Sequence, residues 1–236
     1  MAKQVTKPSA RRSKLKIFLV VLLALAIVEG LALLWMLFTV NHYATFWRDK
    51  AKHPGEITYL ALGDSAAQGI GATSPMRGYV GLIAKRLENK TGKSVRVINL
   101  SVTGATAKDA LKDQIPNIGD INADYVTIEI GANDVKLKQP EAFRKDFVEI
   151  IKKLPDGTYV SNMPLFNSRR DSTQPAKELS KIIESELKNY PKLRFVDLQK
   201  QTSEHQSIFG FAPDTFHPNN LSYKNWAQAF WNEIDK

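Results

Sequence analysis

The 236-residue chain has no cysteine, which excludes disulfides, thiolate nucleophiles, cysteine-linked lipid and cysteine-ligated metals. No compartment follows from that, because a domain with a large enough core manages without disulfides. Histidine is scarce at four residues; His42, His53 and His205 have no companions at metal-ligand spacing, so a metal site is not expected. Acidic residues are missing from the first sixteen positions, where Lys3, Lys7, Arg11, Arg12, Lys14 and Lys16 supply most of the formal net charge of +9. From residue 57 onward the balance is only about +3, ordinary for a soluble domain. The basicity therefore belongs to the N-terminus. No nucleic-acid recognition motif accompanies it, and nucleic acid is not an expected partner. Internal repeats and low-complexity blocks are also lacking.

What the chain does have is a long apolar run, from Ile17 to Val40, broken only by Glu29. As a helix rising about 1.5 Å per residue it crosses a hydrocarbon core of about 30 Å. The cations before it place the N-terminus in the cytoplasm, and Trp35, His42, Tyr43, Phe46 and Trp47 suit the far interface. The rest of the chain then lies outside the cytoplasm, tethered to the membrane. The competing reading is a cleaved signal peptide, for which Ala24-Leu25-Ala26 offers a small-x-small site. Against it, strong hydrophobicity resumes at Leu31 and runs to Phe38, beyond the usual signal core of about 7 to 15 residues. The expected organisation is a basic cytoplasmic tail over 1–16, an anchor over 17–40, a polar linker over 41–56 that ends in the turn His53-Pro54-Gly55, and one globular domain over 57–236.

Within that domain, short runs rich in Val, Ile, Leu, Tyr and Phe at 57–62, 95–100, 125–130, 158–163 and 193–198 read as strands. Helical patterns fall between and after them, near 78–90, 106–113, 140–153, 175–189 and 221–234. Pro140 marks one helix start and Pro191 follows another helix end. Such alternation is the pattern of a parallel sheet with helices on both faces, and sites in such sheets form beyond the carboxyl ends of the strands.

Three polar segments follow strands at that edge: Gly63-Asp64-Ser65, Ser101-Val102-Thr103-Gly104, and Gly131-Ala132-Asn133-Asp134. Near the C-terminus, Asp214-Thr215-Phe216-His217-Pro218 sets a carboxylate three residues before an imidazole. Any of these is common alone, since Ser65 suits a helix N-cap, Asn133 a turn and His217 an extended residue before Pro. Together they form the parts of acyl transfer. A serine hydroxyl is a poor nucleophile until a base takes its proton, and neutral imidazole is suited to that near pH 7. Asp214 can fix the tautomer of His217 and steady the imidazolium. The backbone N–H groups of Ser65 and Gly104 and the side-chain amide of Asn133 are plausible oxyanion donors, and Gly104 brings backbone close to substrate with no Cβ in the way. Asp134 stays outside the catalytic set, as a residue suited to capping.

These blocks resemble the SGNH, or GDSL, hydrolase superfamily: Gly63-Asp64-Ser65, Gly104 in an Asn-Leu-Ser-x-x-Gly setting from Asn99, Gly131-x-Asn133-Asp134, and Asp214-x-x-His217, in order across residues 57–236. The resemblance implies a flavodoxin-like three-layer α/β/α sandwich with a five-stranded parallel sheet. It also implies a Ser65, His217 and Asp214 triad, an oxyanion hole from Ser65, Gly104 and Asn133, and no metal or organic cofactor. The α/β-hydrolase elbow Gly-x-Ser-x-Gly is a different motif, and Ala67 stands where its last glycine would be.

The expected function is a membrane-anchored serine esterase or lipase that works through an acyl-enzyme on a small-molecule, lipid or glycan ester. An O-acyltransferase using the same triad is the alternative. A non-catalytic membrane-tethered binding module is the reading from another class. Residues 162–171 and 199–213 are expected as loops over the site. Met163, Phe166, Ile208, Phe209 and Phe211 there either line an acyl pocket or tuck the loops into the core. Arg169 and Arg170 either receive an anionic group or are solvated.

Overall fold

The computed structural model describes residues 10–166, 169–205 and 207–236, so positions 1–9 of the basic tail lie outside the described residues. Five strands form one parallel sheet in the order β2-β1-β3-β4-β5. They are β1 (Ile57–Gly63), β2 (Val95–Asn99), β3 (Tyr125–Glu129), β4 (Tyr159–Ser161) and β5 (Arg194–Val196). This order is the flavodoxin-like one, and it reverses direction at the β1/β3 junction. The two central strands are almost wholly buried, as expected for parallel strands covered on both faces.

Alternation along β1 sorts the core into two layers. Leu60 and Leu62 face one cluster, with Ile128, Phe143, Phe147, Ile150 and Ile183. It is covered by α4 (Ala107–Asp113), α6 (Pro140–Ile151) and α7 (Arg170–Leu187). Tyr59 and Ala61 face the other, with Tyr79, Ile83, Leu87, Trp226 and Phe230, from α3 (Tyr79–Thr91) and α9 (Asn220–Ile234). Three helices were not anticipated from the sequence: α2 (Ser65–Gln68), α5 (Ala132–Leu137) and α8 (Leu198–His205). The first two are too short to show a helical period. The third occupies part of the expected 199–213 loop, with only Leu198 and Thr202 buried. Helix α7 also starts at Arg170, ahead of the expected 175, with Pro175 inside it.

The largest departure is α1 (Ala10–Lys50). Its 18-residue apolar window has a mean hydropathy of 2.9 and no buried residue. The helix does not stop where that run ends. Residues 41–50, expected as polar linker, continue it and dock on the domain, because the aromatic residues there have polar ends that find carbonyls. Tyr43 Oη donates to Ala72 O at 2.7 Å and Trp47 Nε1 to Gln68 O at 3.0 Å. Met36 and Tyr43 pack on Ile70 and Ala212. Just past the helix end, Ala51 O accepts from Arg96 Nε at 2.9 Å.

Candidate active site

Gly63 ends β1 at φ +143°, where a Cβ would stand 2.2 Å from Glu129 O, so only glycine allows this sharp exit from the strand. Asp64 then caps α2, its Oδ1 accepting from Ala66 N–H at 2.9 Å. Ser65 is the first residue of that helix and is 3% exposed. Its Oγ lies 2.9 Å from Nε2 of His217, which arrives from 152 residues away on the loop ahead of α9.

That loop is shaped by Asp214. Its Oδ1 accepts from the N–H groups of Phe216 and His217, both at 3.0 Å, and its Oδ2 is 2.5 Å from His217 Nδ1. Thr215 sits between them at φ +56°, a left-handed conformation costing on the order of 1 kcal/mol for a residue with a Cβ. Burial alone would raise the Asp214 carboxyl, but the His217 hydrogen bond and charge, with the two backbone N–H groups, bring it down to about 2. The carboxylate therefore stays ionised and accepts the Nδ1 proton. Nε2 is left with a lone pair facing the Ser65 hydroxyl, the arrangement of a base poised on its nucleophile.

Asn133, on the first turn of α5, points its amide at the same place. Nδ2 donates to Asp64 Oδ2 at 3.2 Å and to Ala105 O at 2.9 Å, so both amide hydrogens are engaged. Gly104 has φ +85° with nothing within 4 Å of an added Cβ, and its open backbone borders a shallow groove lined by Val102, Thr103 and Ala105. All five expected site residues thus lie at the carboxyl edge of the sheet. Hydrogen bonds tie Ser65, His217 and Asp214 into one chain, and Asp64 and Ala105 link Asn133 to the segments carrying Ser65 and Gly104.

Several supporting residues went unread. Gln68 Nε2 donates to Ser101 O at 2.8 Å while its Oε1 accepts from Thr103 Oγ1 at 2.6 Å, locking α2 to the Gly104 loop. Asn99, seen only as part of a motif, donates from Nδ2 to Ala67 O at 2.8 Å. Gln114 satisfies both backbone groups of Gly63, at 2.9 and 2.7 Å. A polar side chain at the end of an apolar strand was the available signal for Asn99; nothing local marks Gln114. Asp134 caps α4 from outside, accepting from Ala107 N–H at 3.0 Å. Burial raises both Asp64 and Asp134 to about 6, against backbone hydrogen bonds that lower them.

Of the expected pocket residues, Met163 and Phe166 are core, and Phe166 stacks on Phe216 at 5.3 Å. Phe209 is 78% exposed, while Phe211 is half-buried. The side chain of Ile208 lies outside the described residues, as do Asn167 and Ser168 of the 162–171 loop. Arg169 donates from Nη2 to Asp214 O at 2.9 Å.

Three solved structures share this architecture. LAE5, an α/β hydrolase enzyme from the metagenome of Lake Arreo, Spain, superposes with a TM-score of 0.63 at 20% identity, over 76% of this chain and 95% of its own. TesA gives 0.62 at 20% identity, over 74% and 96%. Axe2, an acetylxylan esterase from Geobacillus stearothermophilus, gives 0.60 at 21% identity, over 77% and 95%. No curated protein matches the chain in sequence. At these identities the likeness shows the fold alone. The family comes from the sequence itself, since residues 61–224 match the GDSL-like lipase/acylhydrolase model, a stretch holding every site residue named above. The chain belongs to the GDSL-like lipase/acylhydrolase family and is an ester-cleaving hydrolase.

Proposed function

We propose that the protein is a membrane-anchored serine esterase in which Ser65 is the nucleophile, His217 the general base and acid, and Asp214 the group that orients His217. The observation that carries this is the unbroken line from Asp214 Oδ2 through both ring nitrogens of His217 to Ser65 Oγ. Ser65 Oγ attacks the ester carbonyl carbon as its proton passes to His217 Nε2. The carbonyl oxygen becomes an oxyanion held by the N–H groups of Ser65 and Gly104 and by Asn133 Nδ2, and the alkoxide leaves with the proton from Nε2. Water, deprotonated by the same nitrogen, then releases the acyl group from Ser65. For Asn133 to donate to the oxyanion, one of its two present bonds gives way, and the 3.2 Å contact with Asp64 is the longer.

The anchor is α1, with the N-terminus in the cytoplasm, the exposed part of the 17–40 run in the bilayer, and the catalytic domain outside; Met36 and Thr39, near the end of that run, are buried. Its apolar window is wholly exposed to solvent, which in water would cost far more than a folded domain gains. The test uses the full chain in detergent, because truncation before residue 48 would discard Tyr43 and uncover Ile70 and Ala212. Hydrolysis of p-nitrophenyl esters of increasing chain length is measured for the wild type and Ser65→Ala. Turnover that disappears in the variant is the expected result; turnover that survives it, or none in a folded wild type, overturns the assignment.

A further inference from the structure

We propose that the active-site rim is itself a bilayer-docking surface, so that Ser65 meets esters lying at the membrane interface rather than esters arriving from bulk water. This rests on the reading of α1 as a membrane span and deepens it, because the structure sets the direction from which the span leaves the domain.

Helix α1 runs antiparallel to the strands. Its C-terminal end meets Arg96 at the start of β2, the amino edge of the sheet. Trp47 then meets Gln68, at the end of the nucleophile helix, and Tyr43 meets Ala72, both beyond the carboxyl end of β1. Met36, further toward the N-terminus, belongs to one buried cluster with Tyr43, Ile70 and Ala212, and Ala212 stands two residues before Asp214 in sequence. From Ala51 back to Met36 the helix rises about 22 Å, close to the roughly 23 Å length of β1. The apolar segment therefore departs from the edge that carries Ser65, not from the opposite one. The lengths also agree. About twenty residues cross a hydrocarbon core, and twenty counted from Ile17 end at Met36, the most N-terminal residue of α1 that the domain buries.

The edge facing that bilayer is suited to it. Outside α1, the exposed large hydrophobic residues among the described ones are Val102, Leu137, Phe209 and Leu221. All four sit on segments at the carboxyl edge: the loop after β2, the end of α5, the 208–210 turn before Asp214, and the first turn of α9. Two cations join them. Lys136 Nζ and Arg169 Cζ lie 4.0 and 5.1 Å from the centroid of the Phe216 ring. Neither forms an ion pair among the described residues, and the Asp214 carboxylate nearby is taken by His217. Apolar prongs with cations beside them that no carboxylate among the described residues neutralises complement an anionic lipid surface.

The absence of cysteine makes the test clean. The full chain carrying Phe209→Cys or Leu221→Cys at the rim, or Lys93→Cys or Asp156→Cys at the amino edge, is labelled with bimane and reconstituted into phosphatidylcholine–phosphatidylglycerol vesicles containing doxyl-labelled lipid. Quenching of the two rim labels and not of the two amino-edge labels is expected. Equal quenching at both edges, no quenching at the rim, or failure of the chain to insert overturns the proposal. This readout needs no turnover, so it stands apart from the esterase assignment. A second arm compares a vesicle-borne ester with soluble p-nitrophenyl acetate in the Phe209→Asp, Leu221→Asp double variant. The vesicle rate should fall about tenfold or more, the effect of losing one buried apolar side chain, while the soluble rate stays within about twofold. An equal fall in both rates counts against the docking surface.

Discussion

Replacing Trp47 by alanine tests whether α1 is a tether or part of the folded domain. The side chain is 2% exposed and sits in the same cluster as Tyr59, Tyr79 and Trp226, while its Nε1–H is bonded to Gln68 O. Truncating a buried tryptophan costs about 3–5 kcal/mol through lost transfer energy and the cavity left behind, and the orphaned carbonyl adds on the order of 1 kcal/mol. At about 2–4 °C per kcal/mol for a domain of this size, the melting temperature should drop on the order of 10 °C. Trp47→Phe keeps most of the packing and loses the donor, so it should cost only about 1 kcal/mol.

The assay is differential scanning calorimetry of the full chain in detergent. A second effect should appear in catalysis below the transition. The Gln68 carbonyl held by Trp47 belongs to the residue whose side chain grips Ser101 and Thr103, so releasing it loosens the Gly104 loop against the nucleophile helix. Turnover should therefore fall in Trp47→Ala at temperatures where the variant is still folded. A melting temperature within about 2 °C of wild type would refute the reasoning, since α1 would then contribute nothing beyond attachment.

Asn133→Ala should lower kcat by about 10²–10³-fold with little change in KM, the usual cost of one oxyanion donor, as read from steady-state kinetics on a p-nitrophenyl ester. Asp214→Asn should lower kcat by about 10⁴-fold because the wrong imidazole tautomer then faces Ser65, and a residual rate equal to wild type would contradict the assignment. Stability should rise as pH is lowered from about 7 toward 4, since Asp64 and Asp134 titrate near 6 in the fold and near 3.8 when free, so the folded state takes up the extra protons. Asp214 acts oppositely: its value is depressed to about 2, so its contribution is complete above the free value of 3.8 and is lost as pH falls through about 2. Thermal melts from about pH 8 to about 2 check both signs, and a melting temperature that falls steadily from pH 7 to 5 would contradict the first.

The parts of the molecule legible from sequence are those whose physics is local. Five apolar runs separated by helical periods specify the sheet, because a strand covered on both faces admits little else than Val, Ile, Leu and aromatic residues. The residues proposed as catalytic stand out for a related reason: the proposed nucleophile, oxyanion segments and acid-base pair each occupy a short block, and Asp214 meets His217 across a three-residue turn. What was not legible depends on distant partners. Gln114 reads as an ordinary polar residue at the end of α4, and its importance exists only because Gly63, 51 positions away, has strand-edge backbone groups to satisfy.

The segment 41–50 shows the limit most clearly. Its composition is polar enough for a linker, and Tyr43 and Trp47 read equally well as residues of a membrane interface. They differ from interface residues by what their polar ends touch, one carbonyl at the end of α2 and one in the loop that follows it. That distinction makes this part of α1 a structural element of the folded domain, bonded next to Ser65. An anchor joined by a flexible linker would leave the domain free to turn any face to the membrane. On the proposed reading of α1 as the membrane span, a continuous, docked helix fixes which face that is, and it is the face on which Ser65 lies.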